Sequence, residues 1–286
     1  MKNSLKIEFF NNTTINRSLE ELKNKFHEVL QLLPEYFSHI KKLGVFVADN
    51  INVTLLKEAI KYTGMVAEPW DIKIETPMAQ SYFNGIQAIS VSYGYTKKVS
   101  ENETKRNIMH ELIHGIYGHG IRESHQINSF YKMYFQELSE KKAVYVINVL
   151  INFHRDFQVD CCISEKYPIF SLESLYDFSR KLSINKLAKR VKELPLYARR
   201  WDIAVCLVEY YKSLAILNHL PEEWQNKEKT KKSKNKFQIM LKASRAWLND
   251  ILKKQLPSSE KIISETDLGN LSKLMLCYGN IVESKI

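Results

Sequence analysis

The sequence predicts an α+β protein, and three observations carry that expectation. Strand-like and helix-like segments mix over the N-terminal part, the pattern further on is helical throughout, and the alternating stretch Ile86 to Tyr95 runs straight into an amphipathic helix. A mixed lobe over residues 1–125, with a small sheet, is therefore expected before an α-helical lobe over 126–286. With 286 residues and 44% apolar content the chain can bury a sizeable core.

Each element has its own signal. Ser18 to Leu33 reads as an amphipathic helix that Pro34 ends. Val45 to Ala48 is a short buried strand, Thr54 to Tyr62 a second helix, and Ile72 to Glu75 a further strand. In Ile86 to Tyr95, Ile89, Val91, Tyr93 and Tyr95 alternate with Ser90, Ser92 and Gly94, the period of a half-buried strand. Ser100 and Glu103 form an S-x-x-E capping box where the next helix starts. Ile108, Met109, Leu112, Ile113 and Ile116 give that helix its apolar stripe, and Gly115, Gly118 and Gly120 loosen and end it.

Inside that helix residues 110–114 read His-Glu-Leu-Ile-His. Two histidines four apart project from one helical face, so both imidazoles can reach one metal ion. The adjacent Glu111 is placed to take a proton from water activated at the ion. A closed structural zinc site would want four protein ligands, often cysteines. Cys161, Cys162, Cys206 and Cys277 make no C-x-x-C pair and read as buried small residues, so an open site is expected.

An open zinc site needs a third protein ligand. His119 follows His114 by five residues, whereas the metzincin pattern needs six and finds Gly120 there. The stronger candidates lie in the apolar run from about Ala143 to Cys162, where Asn152, Asp156 and Asp160 recur every fourth residue as one polar ridge. Carboxylates on a buried ridge ask for a cation, read as a metal; the other reading is that the ridge faces water or Lys and Arg partners. His154 sits off that ridge, as a further ligand candidate or a core histidine.

These features resemble the gluzincin (thermolysin-like) branch of the zincin metallopeptidases, which carries H-E-x-x-H on one helix and an acidic ligand on a later one. The resemblance implies one Zn2+ on His110, His114 and Asp156, with Asp160, one turn beyond, orienting a histidine. It implies hydrolysis of peptide bonds in a peptide or protein substrate, with Glu111 as general base and an oxyanion donor among His119, His125, Tyr145 and Tyr167. It also implies that the strand before the motif helix is a sheet edge on which an extended peptide can lie. An aspartate stands where that branch has glutamate, and the gap from His114 to Asp156 is long for it.

Composition bounds the rest. No N-terminal stretch reads as a signal peptide and no apolar run is long enough to span a bilayer, so a cytoplasmic protein is expected. The net charge is +10, and much of the excess sits in Lys227 to Lys236, expected as a solvated loop. The alternative function is a zincin-like module without turnover that uses this basic surface on nucleic acid or an acidic partner. Aromatic residues do not interleave with the lysines, which gives base stacking no support.

Overall fold

The computed structural model describes residues 5–14, 18–65, 77–119, 155–193, 206 and 209–252. The chain forms two compact units, residues 1–122 and 123–286. The first holds a mixed four-stranded sheet with helices, and the described part of the second is helical. The class is α+β, as the sequence predicts.

In the first unit, β1 (Lys6–Asn11), α1 (Glu20–Leu32), α2 (Tyr36–His39), β2 (Lys42–Ala48) and α3 (Val53–Thr63) are followed by β3 (Met78–Phe83), β4 (Ile86–Ser92), α4 (Tyr93–Thr96) and α5 (Glu101–Ile116). The strand order is β1-β2-β4-β3; β1, β2 and β4 run parallel, and β3 pairs antiparallel with β4. Parallel neighbours need crossovers, which α1, α2 and α3 supply. The antiparallel pair needs only a tight turn. Asn84 and Gly85, with φ of 50° and 80°, provide the left-handed residues of a two-residue hairpin.

Burial on both faces explains why β2 is a continuous apolar run. On one face Phe46 and Ala48 pack with Leu55 and Ala59 of α3 and with Ala88 of β4. Gly44 lies on this face too, where a Cβ would stand 2.6 Å from the Tyr62 ring. On the opposite face Leu43, Val45 and Val47 are fully buried. Gln87, in register with Leu43, points the same way and reaches α5. Ile108, Met109, Leu112 and Ile113 of α5 are 0–1% exposed. Each such side chain contributes about 1.5–3 kcal/mol, an upper estimate because the unfolded chain is already partly compact.

One strand and one loop depart from the sequence reading. Ile86 to Ser92 is an interior strand between β2 and β3, not an edge, and Tyr93 to Thr96 turns into the short α4. Among the described residues the edge beside it is β3. The expected strand Ile72 to Glu75, and Asn152, His154, His125 and Tyr145, lie outside the described residues.

In the second unit the described helices are α6 (155–166), α7 (Pro168–Lys181), α8 (Ile184–Glu193), α9 (209–218), α10 (Glu222–Gln225) and α11 (Glu228–Leu252). The lysine-rich stretch expected as a loop is the first part of α11. Lysine and glutamate are good helix formers, and Glu228 pairs with Lys232 at 2.7 Å along one face. Thr230, Ser233, Phe237 and Met240 recur at helical spacing and are buried. Phe178 of α7 meets Phe237 at 5.6 Å between ring centroids, and the Ser179 and Ser233 hydroxyls lie 3.3 Å apart. The charge run is the outer face of a packed helix. Among the described residues no helix is long and apolar enough to cross a membrane.

Candidate metal centre

The helix that carries the motif is built as its sequence requires. Ser100 Oγ accepts from the Glu103 amide at 3.1 Å, capping α5. The Glu103 carboxylate accepts from the Tyr95 hydroxyl at 2.9 Å. Burial and then that hydrogen bond push the Tyr95 phenol up to about 12. In the middle of the helix, Gln87 donates through Nε2 to the Glu111 carbonyl at 2.6 Å, while its Oε1 accepts from the buried Tyr36 hydroxyl at 2.6 Å. Gly115 makes this possible: a Cβ there would lie 2.5 Å from Gln87 Oε1.

The C-terminus of α5 is a Schellman closure. Gly118 is left-handed with φ of 66°, its amide donates to the Gly115 carbonyl at 3.0 Å, and the His119 amide donates to the His114 carbonyl at 2.9 Å. A side-chain contact usually joins the residue after the glycine to the one four before it. Here that contact is imidazole on imidazole, with His119 Nδ1 2.9 Å from His114 Nδ1. The Gln80 amide of β3 donates to the His119 carbonyl and secures the closure from the sheet side.

His114 is 6% exposed, and its other ring nitrogen, Nε2, lies 3.1 Å from His110 Nε2. Two nitrogens bound to one zinc at 2.0–2.1 Å stand about 3.3 Å apart in a tetrahedral shell, so this spacing suits a shared ion. One ligand atom from each of His110, His114 and Asp156 lies within 4.8 Å of the others, a group that could hold a metal ion. Two imidazoles and a carboxylate are a donor set of the open kind, with a position left for water. His119 turns its Nδ1 to the nitrogen of His114 that faces away from His110, which does not suit it as a ligand in the same group through that atom.

On the ridge of α6, Asp156 is half-buried and Asp160 is 4% exposed. Lys212 of α9, with its side chain 11% exposed, sets its Nζ 3.1 Å from Asp160 Oδ2. Burial pushes the Lys212 ammonium down, and the carboxylates of Asp160 and Asp156 more than offset that, leaving it above its ordinary value. For Asp160, then, the cation a buried carboxylate needs is a lysine. Burial and then the Asp160 charge push the neighbouring Cys161 thiol up to about 12, so it stays protonated at neutral pH. Tyr167 is the residue at the N-terminal boundary of α7.

His119 at His114 and Lys212 at Asp160 are the site neighbours that sequence reading did not assign. A signal for the first was present: with Gly118 as the left-handed residue after the helix, His119 falls over His114. For Lys212 there was none, because a lysine on a separate helix carries no mark of its partner. Comparison with known proteins finds no family model, curated protein or solved structure that matches this chain. Fold and site together define an α+β protein with a His-His-Asp group that could hold a metal ion.

Proposed function

We propose that this chain is a zinc-dependent peptidase. The observation that carries the reading is the proximity of three ligand atoms, two from imidazoles one turn apart and one from a distant carboxylate. His110 and His114 lie on the helix that also carries Glu111, so the two imidazoles and the base move as one rigid piece. A dication held by His110, His114 and Asp156 would supply Lewis acidity and make water a stronger acid there. Glu111 accepts the proton of the attacking water and delivers it to the leaving amine. Gln87, through the Glu111 carbonyl, fixes the backbone from which that carboxylate extends. Asp160 keeps its ion pair with Lys212 and so steadies the ridge that presents Asp156. An extended peptide substrate would add to the outer side of β3, the strand packed beside α5, through main-chain hydrogen bonds that make little demand on its sequence.

The test is Glu111→Gln. Elemental analysis should find one zinc per chain in wild type and variant alike, while cleavage of an unfolded protein substrate disappears in the variant. Wild-type rates in Glu111→Gln would remove the proposed base, and a wild-type protein that takes up no zinc would remove the centre.

A further inference from the structure

We infer that His119 is a positioning residue that holds His114 as an Nε2 ligand, by accepting a hydrogen bond from His114 Nδ1–H on its own Nδ1. The inference rests on the metal reading above and deepens it. A neutral imidazole has one N–H and one lone pair, so the group that meets one nitrogen decides what the other can do. His114 Nε2 faces His110 Nε2 at 3.1 Å, and only its lone pair can serve a metal. Its proton then belongs on Nδ1, which lies 2.9 Å from His119 Nδ1. His119 must in turn offer a lone pair there and carry its own proton on Nε2.

The arrangement is over-determined by the backbone. Gly118 at φ of 66° turns the chain so that the His119 ring comes beside that of His114, tilted to it by 56°, and the same two residues share the amide-to-carbonyl bond at 2.9 Å. Gln80 of β3 binds the His119 carbonyl from outside. The ring thus arrives at His114 on a closed turn, not on a mobile tail. A neutral imidazole in this role adds no negative charge to the site, so the ligand set keeps Asp156 as its anion.

The experiment measures zinc affinity by chelator competition for wild type, His119→Ala and His119→Gln, with far-UV circular dichroism to check the fold. His119→Ala should bind zinc about 10–100-fold more weakly, the loss typical when the partner of a ligating histidine is removed. His119→Gln, whose Oε1 can accept the same hydrogen bond, should recover most of it. In wild-type zinc-loaded protein labelled with 15N-histidine, His114 should show a protonated Nδ1 coupled through the hydrogen bond to His119 Nδ1. Unchanged affinity in His119→Ala, or a His114 that carries its proton on Nε2, overturns the inference while leaving the metal reading intact. Absence of zinc from wild type overturns both. If the alanine variant does not fold, the spectrum of wild type decides alone.

Discussion

Gln87 Nε2 donates to the main-chain carbonyl of Glu111 at 2.6 Å, reaching from the interior strand into the middle of the motif helix through the space that Gly115 leaves. The other end of the same amide is held by Tyr36, whose burial, more than any other factor, raises its phenol well above the ordinary value and keeps it a donor. Gly115→Ala should therefore destabilise the protein, although alanine is the better helix former. Its Cβ would displace Gln87 and leave the Tyr36 hydroxyl and the Glu111 carbonyl short of a partner, a loss of about 1–3 kcal/mol. Gln87→Leu should lose a similar amount, and urea denaturation of the two variants measures both. A more stable Gly115→Ala would show that the amide is free to move aside.

Gly118→Ala tests the closure at the end of the helix. A left-handed conformation costs a residue with a Cβ about 1–2 kcal/mol, so the urea midpoint should fall accordingly. Zinc affinity should fall with it, because His119 loses its seat over His114. Asn at the same position, which tolerates the left-handed region better, should lose less of both.

Lys212 and Asp160 form a buried ion pair whose Nζ and Oδ2 lie 3.1 Å apart. Lys212→Met leaves a buried carboxylate without its cation, an expected loss of about 3–5 kcal/mol. Removing the charge as well, in Lys212→Met with Asp160→Asn, should restore much of it. A double-mutant cycle on thermal or urea unfolding measures the coupling. Additive losses would mean that the two groups do not depend on each other.

Acid should weaken the first unit through Glu8. Hydrogen bonds from Lys6, then Tyr62, then Lys42 hold its carboxyl near 2, against 4.5 for the free group. A depressed folded value means that the stabilisation is present above pH 4.5 and is lost as pH falls towards 2. Glu8→Gln should flatten the decline in urea midpoint over that window while lowering stability at pH 7. An unaltered acid profile would assign the decline to other groups.

What could be read from the sequence follows burial. α1, α3 and α5 bury one apolar stripe each, and β2 buries both faces, so their periods are plain in the residues. β1 and β3 were not legible: both flank the sheet, and KIEFFN and MAQSYF mix polar and apolar residues without a clean period. The edge position expected of β4 came from the resemblance alone, and β3 holds it instead. The lysines of α11 read as a loop because their charge masks the helical spacing of Thr230, Ser233 and Phe237. At the site, the His110–His114 spacing is local and legible. The Lys212–Asp160 pair depends on which helices pack, which no short-range pattern encodes.

The Asn84–Gly85 turn has a kinetic consequence. Pairing β3 with β4 closes a loop of two residues, whereas pairing β1 with β2, or β2 with β4, must first bring together ends separated by whole helices. Loop-closure entropy orders these events, so the hairpin and the helix that follows it can assemble before the rest of the sheet arrives. Pulse-labelled hydrogen exchange during refolding should protect amides of 78–92 ahead of those of 6–11. Protection of both at one rate would mean that the strands condense together.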